Sequence, residues 1–550
     1  MIWNRMWLTP TLLLALAASA WPQAFPIAAI DPGRDSEFPG GRERDQLIIC
    51  TPEGGHDTTG TDVLGDEAIV VGGVVVHLGG NDSEIPENGY VVSGNGSARN
   101  WIVRNLSPGT AVAHDDDSIW IDQSFAGVIT SMRWRLTEME SRAAALESLD
   151  DAEEQAGALS EEVEELENPL VPLQEAVAAL DHEVFNAELA AMPSPANEIR
   201  AVWLRLDHSS PEYIADLAQA LADAHVNAIF PEVDYGSVSI YPDSTGFFPQ
   251  VDGFEGQDSL AILIEECHAR GIEVHAWVHN FFVGGGSRTS EAARWAEAHP
   301  EWVSVNRRGD RELVPWGYRY RNPAHLELHD ALIAAHVALV SNYDLDGYHY
   351  DHIRYCLSLS WESSWDFSDY TRARVREELG FDPIDITPDA NPEDWARWVD
   401  WRQEQVTRYV RRNTEAIRAA KPGIYISAAV FPDLEAAISN KGQNWGAWVD
   451  EGLLDAAIPM IYTPSVEEVT GAVTELKNRV PPGDPVVIGL GPYLGFTPRL
   501  LVDQIAASRA AGATGTCSFV WHRFTEPMTD ALVAGPWRSD GAPDWGTRAP

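Results

Sequence analysis

The chain has 550 residues, 45% hydrophobic and 22% charged, with a formal net charge of −46. That length exceeds one ordinary domain and predicts a main domain with at least one smaller module, each able to bury a core. A surface this acidic is a poor partner for nucleic acid, and a high-GC genome or a salt-adapted habitat explains it more simply than a cationic substrate does. The cations are arginines apart from Lys421, Lys441 and Lys477. Cys50, Cys267, Cys356 and Cys517 are far apart, with no metal-ligand or disulfide-framework spacing, and read as buried thiols.

Residues 1–20, MIWNRMWLTPTLLLALAASA, have an early arginine, an apolar run from Leu12 to Ala18 and a small-residue site at Ala18-Ser19-Ala20. This is the pattern of a signal peptide cut after Ala20, and the run falls short of the roughly 20 apolar residues of a membrane span. No later segment qualifies as a span, so the expectation is a secreted or periplasmic protein. Residues 21–128 read as a small β-rich module. EAIVVGGVVVHL is a hairpin around Gly72-Gly73, and NGYVVSGNGSARNWIVRNL is a strand, a glycine turn and a short helix. Gly94-Asn95-Gly96 lacks the third glycine of a dinucleotide loop and reads as a turn. With TGTDVLGDEAIVV, the stretch 57–112 resembles part of the phosphodiester glycosidase domain, and no catalytic residue is carried over from that likeness.

Residues 129–192 are rich in Ala, Leu and Glu, with apolar residues from Ala152 to Val184 at four-three spacing, a coiled-coil stripe. Pro169 and Pro172 interrupt it, which predicts two helices folded back as a hairpin that packs on its own protein. The acidic run SEEVEELE is a solvated face. MPSPAN marks a boundary, with a linker at 193–198.

From 199 to 540, before a tail at 541–550, β-branched runs alternate with amphipathic helical runs. Eight strands are legible: IRAVWLRLD, VNAIFPEVD, IEVHAWVHN, LDGYHYDHIRY, GIYISAAVF, LDAAIPMIY, PVVIGLGPY and GTCSFVWH. This α/β pattern predicts a (β/α)8 TIM barrel. Links from helix to strand are short. Two links from strand to helix are long, from Gly284 to about Leu328 and from Cys356 to about Asp394, and both leave the strand ends where barrel active sites are built. Trp302, Trp316, Tyr318, Tyr320, Trp361 and Trp365 lie in them, flat rings suited to sugar faces or to small cores within the loops.

On the fourth strand Gly347, His349 and Asp351 share one face, and Tyr348, Tyr350 and His352 the other. If the first face points inward, Asp351 stands at the mouth as a catalytic nucleophile or base; the structural alternative is an Asp paired with Arg354 or Arg200. A nucleophile or base there needs an acidic partner across the mouth. Glu232, beside the apolar Ile229-Phe230-Pro231, is the first candidate for the general acid; Asp433 is the second, and Asp207 and Asp234 follow. Trp277, His279, Asn280 and Tyr235 are placed along the substrate groove, with His275 in the groove or the core.

The ordered motifs RAVWL, VHAWVHN, HPEW, DGYHYDHIRY, DWRQEQV, PMIYT and FVWH resemble glycosyl-hydrolase-like family 10, secreted bacterial relatives of glycoside hydrolases, from about Ile199 to Arg523. The resemblance implies that Asp351, His349 and Arg354 form the strand-four motif, with Tyr462 and Trp521 on the rim. Many relatives have a second acid where this chain has His352. It further implies a polysaccharide substrate, peptidoglycan glycan strands or another bacterial or environmental polysaccharide, and no cofactor. Two other readings compete. Convergence of His275, His279, His349 and Asp351 would make a metal-dependent hydrolase, and loss of the second acid would leave a silent glycan-binding surface protein.

Overall fold

The computed structural model describes residues 24–32, 45–60, 65–80, 82–146, 149–165, 171–286, 290–313, 317–356, 358 and 361–546. The signal-peptide stretch, Pro169 and Trp316 lie outside them. The chain forms two compact units: one runs through Ala191 and includes Thr463–Glu468 and Leu494–Phe496, the other is the rest from Met192 onward.

In the first unit, a sheet orders the strands Ala29–Ile30, Leu47–Cys50, Gly89–Asn95, Gly65–Val71 and Val74–Leu78. The hairpin between the last two turns on Gly72 and Gly73, with φ of 59° and 81°, the left-handed pair that a two-residue turn needs. Helix Ser97–Asn105 covers the sheet through Ala98, Trp101 and Ile102. The helical segment differs from the expected hairpin. It holds three helices, Phe125–Ala144, Asp150–Glu165 and Val171–Ala191, closed on one core of Met132, Leu136, Ala156, Val177 and Val184. The first of them was missed because its core face is spaced by Met and Ile within polar sequence. Pro172 sits in the first turn of the third helix, where a missing N–H costs nothing.

The second unit is a closed barrel of eight strands, each hydrogen-bonded in parallel to its neighbours. They are β1 (Ile199–Leu204), β2 (Ala228–Asp234), β3 (Glu273–His279), β4 (Gly347–Asp351), β5 (Tyr425–Val430), β6 (Ala456–Ile461), β7 (Val487–Leu490) and β8 (Gly515–Ser518). β8 returns to β1 to close the ring. The runs are apolar on both faces because helices cover the outside and side chains fill the inside. Trp203, Phe230, Trp277, Ala429, Ile458, Val487 and Cys517 make the interior core. All four cysteines are buried.

The alternation expected on β4 is observed. Tyr348 and Tyr350 face the helical layer, where their hydroxyls meet His336 Nδ1 at 3.0 Å and Thr414 Oγ1 at 2.9 Å. Gly347, His349 and Asp351 face the interior. At Gly347 only a hydrogen fits, because a Cβ would occupy the place of the His275 ring on the neighbouring strand.

Both long loops have cores of their own. After β3, the strands Phe282–Gly284 and Arg319–Tyr320 pair, and helix Glu291–Ala298 packs Trp295 with Val283, Ala292 and Val303. After β4, helices Asp369–Leu379 and Pro392–Ala420 enclose Phe367, Val375, Trp398 and Trp401. The aromatic residues expected on the rim mostly serve these cores: Trp365 is buried, Trp302 stacks on Phe247, and Trp361 lies against Arg307. Tyr318 remains open to solvent, at 37% exposure.

Candidate active site

Asp351 ends β4 at the carboxyl end of the barrel and is 6% exposed. One oxygen, Oδ2, accepts from the Trp277 indole N–H at 3.0 Å; the other accepts from the Arg354 guanidinium at 3.2 Å and from the His352 backbone N–H. Burial alone would raise this carboxyl. The Arg354 guanidinium, the His279 ring and the His352 backbone N–H outweigh it and hold the group well below the usual carboxylate range. Asp351 is therefore a fixed anion with one face of Oδ2 turned to His279 Nε2 at 3.9 Å and His352 Nε2 at 4.0 Å. The expected pairing with Arg354 occurs as well; Arg200 instead binds Glu198, away from Asp351.

Glu232, on the inward face of β2, lies on the other side of His279, whose Nε2 approaches Glu232 Oε1 at 3.1 Å without hydrogen-bond alignment. The distances from this nitrogen to the two acids, 3.1 and 3.9 Å, bound the gap between the carboxylate oxygens at about 7 Å, within reach of paired-carboxylate chemistry. The surroundings of Glu232 differ from the apolar ones its sequence neighbours suggested. Arg205 takes both its oxygens, at 2.9 and 3.1 Å. Arg205 continues the inward face of Ile199, Ala201 and Trp203, and the period of two along β1 was the signal that could have found it.

His352 is where alternation fails. The strand stops at Asp351, and His352 takes a φ of 47°, a left-handed turn that returns its ring to the mouth instead of the helical layer. There it stacks on Phe282 with centroids 4.5 Å apart, and its Nδ1 meets the Tyr320 hydroxyl at 3.0 Å and Arg354 at 3.2 Å. Burial keeps this imidazole neutral far below its ordinary pKa. A guanidinium only donates, so Nδ1 is an acceptor and the ring proton sits on Nε2, aimed beside Asp351.

That tautomer also bears on how these residues could meet a metal. His279, Asp351 and His352 each bring one donor atom within 4.8 Å of the others. In this hydrogen-bonding pattern His352 Nε2 carries a proton that a metal would have to displace. The metal set expected from sequence does not assemble: His349 and His275 lie deeper in the barrel. His349 accepts from the Trp203 indole at 3.1 Å and donates to Ser427 Oγ at 2.8 Å, and burial lowers its pKa to about 3. Both its nitrogens are used, so its expected contact with substrate is replaced by a place in the core. His275 pairs with Glu273 at 3.1 Å beneath it.

Other expected residues divide in the same way. Tyr235, 40% exposed, stands over His279 and Phe282 and forms a rim with Tyr318. Tyr462 stacks on Phe519, which lies against Trp277. Asn280 faces the helical layer, bonded to the Asp351 carbonyl and the Tyr409 hydroxyl, and positions the strand end without reaching the groove. Trp521 lines a separate depression with Ala220, Asp223 and Phe524. Asp433 is exposed and caps helix Leu434–Lys441, accepting from the Ala436 N–H at 2.9 Å. Asp234 is fully buried, accepts from the His279 backbone N–H at 3.0 Å, and is pushed up to about 6 by burial. Asp207 is exposed.

Residues 198–490 match the glycosyl hydrolase-like 10 family. The curated protein glycosyl hydrolase YngK of Bacillus subtilis (strain 168) is 25% identical over 318 residues, 51% of this chain and 57% of its own. Glycosyl hydrolase DigH of Escherichia coli (strain K12) is 21% identical over 269 residues, 44% of this chain and 55% of its own. The chain thus spans little more than half the length of these relatives. Among solved structures, alpha-L-fucosidase isoenzyme 2 from Paenibacillus thiaminolyticus aligns with a TM-score of 0.44 and 16% identity, over 61% of this chain and 48% of that one. With its family match covering β1 to β7 and the mouth that holds Asp351, this chain belongs to the glycosyl hydrolase-like 10 family.

Proposed function

We propose that this protein is an exported glycoside hydrolase that cleaves O-glycosidic bonds of a bacterial or environmental polysaccharide, peptidoglycan glycan strands first among them. The observation that carries this reading is the pair of carboxylates, Asp351 and Glu232, held on either side of His279 at the open end of the barrel. Asp351, kept ionised and aimed by Trp277, acts as nucleophile or base. Glu232 with His279 supplies the proton to the leaving oxygen, since the two groups share one close contact and face the same space. Tyr235 and Tyr318 offer open ring faces on which a sugar stacks. Export rests on the N-terminal sequence.

A second reading is favoured by one contact: Arg205 occupies both oxygens of Glu232, which would silence it as an acid and leave a glycan-binding protein. A digest of a glycan panel by the mature protein, read by mass spectrometry with Asp351→Asn as control, tests both. New reducing ends made by the wild type and absent with the variant support the hydrolase. Bound glycan without any product sinks it and favours the binder.

A further inference from the structure

Lys441 is one of three lysines in this acidic chain, and at 8% exposure it is buried. It ends helix Leu434–Lys441, which follows β5. Its backbone carbonyl accepts from the Tyr355 N–H at 2.9 Å, which fastens it to the segment that leaves β4 just past Asp351. The ammonium lies 4.1 Å from the centroid of the Phe431 ring, and the Arg354 guanidinium lies 4.9 Å from the same centroid. Phe431 is the first residue beyond β5, at the mouth.

Among the described residues, the ammonium has this ring contact and no hydrogen bond or close carboxylate. A buried cation without a counter-charge is costly to desolvate, and a second cation on the same ring adds repulsion that cation–π attraction offsets only in part. Burial first, then Arg354, lower Lys441 to about 8, against a weaker pull from Asp433. Asp433 is committed to its helix cap. Arg354 already has Asp351 at 3.2 Å, so the ammonium is the cation left without an anion, beside the carboxylate proposed to act on a glycan.

We propose that Lys441, beside Arg354 at the Phe431 ring, forms an anion-recognising subsite, so that the glycan taken by this site carries a carboxylate or a sulfate ester on a sugar next to the scissile bond. This rests on the glycan reading above and narrows its substrate class. The ammonium would take the charged substituent of that sugar.

The test is a glycan array of neutral, uronate-bearing and sulfated oligosaccharides on matched backbones, probed with full-length wild type, Lys441→Met, Lys441→Gln and Lys441→Arg. Cooperative melting checks each variant. The expected result is at least about tenfold tighter binding of one anionic class over its neutral match. That ratio should collapse in Lys441→Met and Lys441→Gln and persist in Lys441→Arg. Preference for uronates or for sulfates identifies which anion is read. Equal or tighter binding of the neutral glycans overturns the subsite and leaves the glycan reading standing, as does a preference that survives in both the Met and Gln variants. An array with no bound glycan removes the glycan reading and the subsite with it.

Discussion

The chemistry expected of this mouth rests on a few atoms. Asp351→Asn removes the charge and keeps the shape, so glycan binding should persist while turnover falls by roughly three or more orders of magnitude. Full activity in that variant, measured on a glycan the wild type cleaves, would assign Asp351 a structural role. Glu232 and Asp433 separate in the same assay. Glu232→Gln should slow substrates with poor leaving groups most, whereas Asp433→Ala should keep turnover and lose about 0.5–2 kcal/mol of stability, the cost of a helix cap. Two of the buried aspartates also give opposite pH signatures. Asp351 is held below its ordinary value of 3.8, so its contribution to stability is present above that pH and fades as pH falls further. Asp234 is raised from 3.8 to about 6, so its contribution is present below pH 3.8 and is lost as pH rises through 6. Urea midpoints against pH should therefore show a drop between these values, shared with Asp66 and Asp366, which burial also raises to about 6, and Asp234→Asn should make it shallower.

At the level of elements, the mouth is shaped by how β3 and β4 end. Arg321, buried with the Phe247, Phe248 and Trp295 rings around it, donates to the carbonyls of His279, Asn280, Phe282 and Gly236. It thereby fastens the turn after β3, which carries His279 and the ring on which His352 stacks. Arg321→Met leaves those carbonyls without their donor and should cost about 3–5 kcal/mol by chemical denaturation, with turnover falling alongside. The left-handed turn at His352 is equally local. Asn tolerates that backbone, so His352→Asn should fold with nearly wild-type stability yet lose the Nε2 donor beside Asp351. An unchanged turnover in a correctly folded His352→Asn would show the imidazole to be a packing group.

For the molecule as a whole, the barrel unit begins at Met192, earlier than the strand pattern suggests. The Met192 and Pro193 carbonyls accept from Arg538 and Arg509, Pro195 accepts from Arg200, and Ala196 pairs with Ala542 near the C-terminus. A fragment of residues 192–550 should unfold in one cooperative transition, and one starting at Ala196 should melt a few degrees lower, because the carbonyls of 192–195 that accept from Arg200, Arg509 and Arg538 are gone. An insoluble 192–550 fragment would place the three-helix segment within the barrel's folding unit.

The eight strands, their parallel order, the inward face of β4 and the position of Asp351 at its end were all legible in the sequence. Each follows from a short-range rule, the period of two along a strand or the length of a connection, that the tertiary fold had only to respect. The hairpin at Gly72-Gly73 was legible for the same reason. Arg354, Trp277 and His279 beside Asp351 were legible too, but the rest of its surroundings was not. Arg205 reaches Glu232 from another strand, His352 turns inward through a single left-handed residue, and Lys441 arrives beside Arg354 from a helix almost ninety positions on. Saturation of His349 by Trp203 and Ser427, and the use of Asp433 as a cap, likewise depend on partners that closure of the barrel brings near. Periodicity states which way a side chain points. Which charge, donor or ring it meets there is set by contacts between segments far apart in the chain, and those exist only once the barrel has closed.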